Sequence, residues 1–247
     1  MIIRTDGIVI REHLTGEQDR LVTLLTREKG IITAFVNGGR SPKSKNVAAT
    51  GLLCYSDFSI EKTKRDVYVI KEATAKEVFF SLRENIVSLS LAQYFAELTY
   101  EFAPRDETAS EFLSLLLNAV FLITKNSKEA ELVKAATELR LLCLAGYMPS
   151  VIACASCGSF ESESMYFDLH TGEIFCEECN LKASLHKLSL TAVSAMRYIC
   201  FSDAKKIYSF SIPKEDREEL SFITEIYLKN ITNRKYKTLD FYKTMTS

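Results

Sequence analysis

Two closely spaced cysteine pairs are the clearest chemical signature in this 247-residue chain. Cys154 and Cys157 form the first pair, Cys176 and Cys179 form the second, and 18 residues separate the pairs. A spacing of two residues lets one tight turn present both sulfurs to the same ion, and tetrahedral Zn²⁺ accepts four such ligands. We therefore predict one bound Zn²⁺ ion, with a redox dithiol pair or apolar packing of the thiols as the alternatives.

The predicted ion is structural rather than catalytic. Four thiolates fill a tetrahedral shell and leave no position for water or substrate. The surrounding segment, residues 151–186, has the pattern of a zinc ribbon whose hairpin turns at His170, a residue that we expect on the surface. A zinc-dependent hydrolase is a weaker interpretation because the three histidines of the chain are scattered. We predict that the chain is not an enzyme, and that the other cysteines, Cys54, Cys143 and Cys200, are core residues.

A basic loop is the second candidate site. Residues 36–46 read VNGGRSPKSKN, with the cations Arg40, Lys43 and Lys45 and no acidic residue. Residues 1–75 hold 12 Lys and Arg against 9 Asp and Glu, a net charge of +3 in a chain whose total is -1. Cationic loops on a small barrel hold the phosphates of single strands. The loop therefore predicts nucleic-acid contact, although an ordinary solvated loop explains its composition equally well. The further candidate cations of this region are Arg11, Arg20, Arg27, Lys62, Lys64 and Arg65.

Aromatic residues of the same region could stack on bases. Tyr55, Phe58 and Tyr68 fall in predicted strands, where aromatic side chains usually belong to the core. The sequence contains neither a phosphate-cradling GxxxxGK[ST] motif nor a helix-turn-helix pattern. It therefore supports neither ATP hydrolysis nor base-specific reading of DNA.

The basic loop belongs to a predicted β-domain. Residues 1–77 contain five short runs rich in Val, Ile, Thr, Tyr and Phe, separated by turn-forming residues. Five short antiparallel strands in about 75 residues suit a five-stranded OB-fold barrel, with an SH3-like barrel as the alternative. We assign residues 1–80 to this nucleic-acid-binding domain.

Beyond the barrel, the hydrophobic period changes to that of helices. Pro104 ends the first predicted helix, Ser189 is a predicted N-cap, and Pro213 suits the first turn of the last long helix. The sequence therefore predicts an α+β chain. Its all-α helical domain spans 81–247 and carries the four-cysteine zinc ribbon as an insertion at about 151–186.

No segment of the sequence is typical of membrane insertion or secretion. The most apolar stretch, residues 112–123, is much shorter than the roughly 20 residues that a transmembrane helix needs. Arg4 and Asp6 interrupt the start of the chain, which disfavours a secretory leader. We expect a cytoplasmic protein without a membrane partner.

The assembled motifs resemble the RecO family of bacterial DNA-repair proteins over nearly the whole length of the chain. The matching pieces, in order, are TDGIVIREH, GEQDRLVTLLTREKGIITAFVNGGRSPKS, ELRLLCLAGYMP, CASCG with CEEC, and YLKNITNRKYKTLDF. Arg40, Lys43 and Lys45 match the GARRPKSR-type basic loop of the family, and Gly39 replaces one cation of that pattern. The paired cysteines match the zinc-binding version of the family.

The resemblance implies a recombination mediator. It implies binding to single- and double-stranded DNA without sequence preference and annealing of complementary strands. It also implies work with RecR to load RecA onto strands coated by single-strand-binding protein, in the bacterial cytoplasm and in association with the nucleoid. Two alternatives stay open: a zinc-ribbon adaptor that binds other proteins and touches nucleic acid incidentally, and an RNA-binding OB-fold protein, because phosphate contacts do not read the sugar.

Overall fold

The computed structural model describes residues 2–15, 19–39, 46–65, 67–180 and 184–246 of the chain. The chain forms two compact units. The first unit combines Met1–Lys125 with Lys237–Ser247, and the second unit is Asn126–Tyr236.

The first unit contains a closed barrel of five strands. The strands are β1 (Ile2–Thr15), β2 (Asp19–Thr26), β3 (Gly30–Val36), β4 (Tyr55–Lys62) and β5 (Tyr68–Glu77). Their order around the barrel is β1-β2-β3-β5-β4, and neighbours are antiparallel except for the parallel pair of β3 and β5. This closed, OB-like barrel confirms the fold that was predicted for the N-terminal region.

The first strand closes the barrel because it pairs with two neighbours. Its first half pairs with β4, its second half pairs with β2, and Gly7 takes part in both ladders. A side-chain carbon at Gly7 would lie 2.5 Å from the carbonyl oxygen of Leu25, so this close approach requires glycine. The barrel core contains Val9, Val22, Leu24, Ile32, Ala34, Val36, Phe58, Ile60 and Ile70.

Helices follow the barrel in the chain. They are α1 (Ile86–Phe102), α2 (Ser110–Lys125), α3 (Ala130–Leu144), α4 (Leu190–Phe201), α5 (Lys214–Thr232) and α6 (Lys237–Thr246). Asn85 caps α1 by accepting a hydrogen bond of 3.0 Å from the backbone N–H of Ser88, and Pro104 follows its end. Sequence analysis missed α6. Its buried residues are Leu239 and Tyr242, and two positions are too few to show a helical hydrophobic period.

The second unit joins α3, α4 and α5 to a small sheet. Its strands are β6 (Met165–Phe167), β7 (Ile174–Cys176) and β8 (His186–Leu188), with β6 paired antiparallel to both others. The side chain of Ser189 caps α4 by accepting from the backbone N–H of Ala192 at 3.0 Å. Pro213 immediately precedes α5, as its fixed φ predicts.

A buried charge cluster ties α3 to α5. Lys134 Nζ lies 2.9 Å from Glu138 Oε1 and 3.1 Å from Glu225 Oε2, and all three side chains are nearly inaccessible to solvent. Glu138 also accepts a hydrogen bond of 2.6 Å from the hydroxyl of Thr224. Buried ions persist when they are paired and hydrogen-bonded, so loss of Lys134 would leave two buried carboxylates without their shared cation.

The predicted domain boundary near residue 80 marks the change from strands to helices. The compact units instead divide after residues 125 and 236, because α1, α2 and α6 belong to the same unit as the barrel. The assignment of domains to 1–80 and 81–247 therefore stays a prediction. Within the described part of the chain, no helix combines the length and the apolarity that crossing a membrane requires.

Candidate metal centre and nucleic-acid interface

The four paired cysteines meet in the second unit at one end of the small sheet. Cys176 ends β7, Cys179 lies in the short 3₁₀ turn that follows, and Cys154 and Cys157 lie in the turn that precedes β6. Their four Sγ atoms all lie within 4.8 Å of one another, and the Sγ atoms of Cys157 and Cys176 are 3.7 Å apart. Sulfurs around a tetrahedral ion with bonds of about 2.3 Å would be about 3.8 Å apart. The donor set therefore fits one metal ion.

Backbone groups around the cysteines favour the thiolate form that a metal requires. Burial acts to raise the pKa of Cys154, but hydrogen bonds from backbone N–H groups, those of Cys157 and Cys176 first, outweigh it and lower the pKa to about 6. The pKa of Cys179 is raised to about 12, because hydrogen bonding with the sulfurs of Cys176 and Cys157 holds its proton. Four adjacent thiolates repel one another, so full deprotonation of the set needs a bound cation.

The hairpin that carries the second cysteine pair is held by α5. Gly172 lies in the turn between β6 and β7 with φ +74°, and a side-chain carbon there would lie 2.5 Å from the hydroxyl oxygen of Tyr227. The ring of Tyr227 also packs edge-on against Phe167, with centroids 5.5 Å apart. His170 is exposed in this turn, as expected, and is not among the clustered donor atoms.

The cations Arg40, Lys43 and Lys45 of the basic loop lie outside the described residues, but both ends of the loop are described. At the first end, the backbone N–H of Gly38 donates to Asp19 Oδ1 at 2.8 Å. The neighbouring glycine is also constrained, because a side-chain carbon at Gly39 would lie 2.9 Å from a backbone oxygen. The two glycines therefore let the chain leave β3 in a tight turn.

The second end of the basic loop is attached to β5. The side chain of Asn46 donates to the carbonyl oxygen of Lys71 at 3.4 Å and accepts from the backbone N–H of Ala73 at 3.1 Å. The parallel pairing of β3 and β5 sets Ala34 opposite Tyr68, so the first end of the loop also leaves from beside β5. Both ends of the basic loop are therefore held at the same edge of the barrel.

A second group of cations lies in the turn between β4 and β5. Lys62 ends β4, and Lys64 and Arg65 are exposed in the turn that follows. Lys62 Nζ lies 5.4 Å from the centre of the Tyr68 ring, at the first residue of β5. Because β3 and β5 are parallel, this turn precedes the paired residues Ala34 and Tyr68, whereas the basic loop leaves after them.

Arg20 holds the second end of the loop from inside the barrel unit. Its Nη2 donates to the carbonyl oxygen of Val47 at 3.2 Å and to Thr50 Oγ1 at 2.6 Å, and its Nη1 donates to Glu12 Oε2 at 3.2 Å. Thr50 in turn donates to the carbonyl oxygen of Asn46 at 2.6 Å. The Arg20 side chain is 10% exposed. This residue was predicted at the DNA surface, and its contacts instead make it a positioning residue for the loop.

Arg27 is also engaged within the protein. Its Nε and Nη2 donate to both carboxylate oxygens of Asp6, and the shortest of these distances is 2.7 Å. Burial acts to raise the pKa of Asp6, but hydrogen bonds from Arg27 and from the hydroxyl of Tyr55 outweigh it and lower the pKa. A bidentate pair of this kind holds the guanidinium in place, so Arg27 is a poorer candidate for phosphate contact than the turn residues.

Arg11 lies over an aromatic ring in the first unit. Its guanidinium carbon is 3.5 Å from the centre of the Tyr100 ring, and that of Arg105 is 5.3 Å from the same ring. The sequence carried no signal for Arg105, which follows α1. Of the aromatic residues considered for stacking, Phe58 is buried in the barrel and Tyr55 donates its hydroxyl to a carboxylate at 2.6 Å. Among those three, the half-buried Tyr68 keeps a ring near the basic turn.

Comparison with known proteins identifies the family over nearly the whole chain. The family model described as Recombination protein O N terminal matches residues 1–79, and Recombination protein O C terminal matches residues 83–240. The chain is 35% identical over 245 residues to DNA repair protein RecO of Acetivibrio thermocellus, which covers 98% of this chain and 97% of that protein. It is 30% identical over 229 residues to DNA repair protein RecO of Alkaliphilus metalliredigens, covering 92% and 93%. The chain therefore belongs to the RecO family of DNA repair proteins.

Proposed function

We propose that the chain is a non-enzymatic recombination mediator. It binds single- and double-stranded DNA without sequence preference and anneals complementary strands. With RecR, it helps to load RecA onto strands coated by single-strand-binding protein. Because its proposed ligand is chromosomal DNA, we place its work in the bacterial cytoplasm at the nucleoid.

The observation that supports this proposal is the attachment of both ends of the basic loop to the barrel. Asn46 at the second end is bonded to β5, the strand that follows the exposed basic residues Lys64 and Arg65. Asp19 and Arg20, adjacent in β2, hold opposite ends of that loop. A rim of cations attached at both ends can follow a phosphate backbone with a small loss of conformational freedom on binding.

Phosphate neutralisation supplies the physical mechanism. Two complementary strands repel each other through their phosphates, and cations that neutralise phosphates release condensed counterions and lower that repulsion. Contacts of this kind carry no base information, which suits a protein that pairs arbitrary sequences. Binding and annealing should therefore weaken steeply as the salt concentration rises.

The loop is tested by replacing Arg40, Lys43 and Lys45 together with alanine and measuring the affinity for a single-stranded oligonucleotide across a salt series. Each lost phosphate contact should reduce the slope of log K against log salt by about 0.7, so the triple variant should lose about 2 units of slope. Retention of both affinity and slope would remove the loop from the mechanism.

A matched control replaces three exposed lysines of the second unit, Lys205, Lys206 and Lys214, and so changes the net charge equally. This control should leave the slope nearly unchanged. An equal loss of slope in both variants would indicate a general charge effect and would contradict a specific contribution of the basic loop. A parallel series with RNA of the same sequence distinguishes the DNA mediator from the RNA-binding alternative.

We further propose that the metal is a single structural Zn²⁺ ion held by Cys154, Cys157, Cys176 and Cys179. The four-sulfur donor set suits Zn²⁺, and when bound the ion would supply folding energy that a ribbon of this size cannot obtain from apolar burial. Replacing Cys154 and Cys176 with serine should abolish zinc retention in metal analysis and lower the melting temperature. Retention of one zinc per chain in that variant would contradict the ligand set.

A further inference from the structure

A second pair of thiols lies in the same unit, apart from the four clustered cysteines. Cys143, in the last turn of α3, and Cys200, in the last turn of α4, have Sγ atoms 3.7 Å apart. Sequence analysis expected both in the core. Cys200 is buried, but Cys143 is half-buried.

A guanidinium lies beside this pair. Arg140 Nη1 donates to the carbonyl oxygens of Ile199 and Cys200, at 3.4 and 3.0 Å. Its Nε is buried and has no hydrogen-bond partner among the described residues. A buried cationic donor of this kind favours an anion nearby, and a thiolate at Cys143 would provide one.

The two sulfurs differ in ways that give them different roles. Hydrogen bonding with Cys200 lowers the pKa of Cys143, burial opposes this effect, and the charge of Arg140 adds to it. The pKa of Cys200 is raised by its hydrogen bond to Cys143 and by burial. Cys143 is thus the half-buried residue of the pair and the one whose pKa is lowered, and a lowered pKa favours reaction of a thiol with oxidants.

We propose that Cys143 and Cys200 form a redox-active dithiol, at which a peroxide produces a reversible disulfide between α3 and α4. A disulfide has an S–S distance of about 2.05 Å, so the sulfurs must approach by about 1.7 Å from their separation of 3.7 Å. Rotation of the two side chains can supply such a movement. Both helices lie in one compact unit, which keeps the pair together.

The reaction balances in two steps. The Cys143 thiolate attacks one oxygen of the peroxide, an S–O bond forms, the O–O bond breaks, and hydroxide leaves, so sulfur loses two electrons to the peroxide. The Cys200 sulfur then attacks the sulfenic acid at Cys143. The S–S bond forms, the S–O bond breaks, and the departing hydroxide takes the Cys200 proton as water. With hydrogen peroxide, two thiols and one oxidant give one disulfide and two waters.

The disulfide would enclose the metal centre within one covalent loop. The two cysteines are 57 positions apart, and all four clustered cysteines lie between them. Closing a loop of this length restricts the unfolded chain, so the oxidised form should resist unfolding more strongly than the reduced form. Oxidation would therefore brace the segment that carries the metal centre, and a thiol reductant would release it.

The test uses the full-length, zinc-loaded protein, reduced, freed of reductant and treated with increasing hydrogen peroxide. Peptide mapping by mass spectrometry without reduction should find a peptide pair that joins Cys143 to Cys200, lost on treatment with dithiothreitol. The pair should appear at peroxide doses that leave the four clustered cysteines unmodified. In Cys200→Ser, dimedone should label Cys143 as the trapped sulfenic acid, and Cys54→Ser should leave the cross-link unchanged because Cys54 is a separate buried thiol.

Three results would overturn the proposal. They are oxidation of the clustered cysteines while this pair stays reduced, direct conversion of Cys143 to the sulfinic acid without a cross-link, and disulfides of Cys143 with other cysteines. Circular dichroism of Cys200→Ser establishes that the variant is folded before labelling. The oxidised wild type should also melt several degrees above the reduced protein, a shift that Cys143→Ser should abolish.

Discussion

Substitution of Arg20 distinguishes most clearly between a residue that holds the basic loop and a residue that contacts DNA. Replacing it with methionine keeps most of the side-chain volume but removes the guanidinium. The variant loses the donors to Val47 and Thr50 and the ion pair with Glu12. The second end of the basic loop then loses its attachment to β2, whereas Arg40, Lys43 and Lys45 are all retained.

The contacts of Arg20 set the expected loss of stability in this variant. Hydrogen bonds made by a charged donor contribute about 1.5–3 kcal/mol each, and neighbouring bonds are not additive. Thr50 is fully buried, whereas the Glu12 side chain is 39% exposed and regains water when Arg20 is lost. We therefore expect a loss of roughly 2–4 kcal/mol in the free energy of unfolding. At about 2–4 °C per kcal/mol for a chain of this size, the melting temperature should fall by roughly 5–15 °C.

DNA binding should respond differently from stability. A loop that has lost one attachment must be ordered on binding, and a cost of about 1.4 kcal/mol corresponds to a tenfold loss of affinity. The slope of log K against log salt should stay unchanged, because no phosphate contact is removed. The control Glu12→Gln removes the exposed part of the network and should change stability by less than about 1 kcal/mol.

The assay combines thermal unfolding with oligonucleotide binding across a salt series. The reasoning is refuted if Arg20→Met retains the stability of the wild type while the salt slope falls by about 0.7, since that result describes a direct phosphate contact. It is also refuted if stability, affinity and slope are all unchanged.

The remaining predictions concern packing, pH and metal. Gly172→Ala should destabilise the second unit by about 2–3 kcal/mol, because its φ is positive and the added carbon clashes with Tyr227. The control Gly146→Ala, at φ +88° with open space around it, should lower the free energy of unfolding by less. Equal losses in the two variants would contradict the packing argument. Because the folded pKa of Asp6 is depressed, the stability from its pair with Arg27 is fully present above the unfolded pKa of about 3.9 and is lost as the pH falls through the folded pKa. Unfolding free energies of Asp6→Asn and the wild type should therefore converge once the pH falls below the folded pKa of Asp6, and a difference that is the same at neutral pH and below that pKa argues against this pair. Removal of bound zinc by a strong chelator should lower the melting temperature, and an unchanged unfolding curve after complete removal would exclude a structural ion.

Local sequence features were sufficient to predict the metal centre and the type of fold. The CxxC spacing predicted the clustered thiols because two residues between ligands define a single turn, and the structure brings those sulfurs within 4.8 Å. Five short runs rich in Val, Ile, Thr, Tyr and Phe, separated by turn-forming residues, predicted the barrel, because β-branched and aromatic side chains favour strands. The caps at Ser189 and Pro213 were also predictable, since they depend on neighbours within one turn.

The sequence by itself determined most of the elements, the metal-ligand spacing and the position of the basic loop in the chain, because these depend on residues close together in the chain. Only the tertiary structure decided which cations are engaged in hydrogen bonds or ion pairs within the protein. Arg20 meets Thr50, 30 residues away, and Arg27 meets Asp6, 21 residues away. It also decided that Cys143 lies beside Cys200. The reason is that burial and ion pairing of a side chain are set by the elements that pack around it, and residue type does not encode that packing.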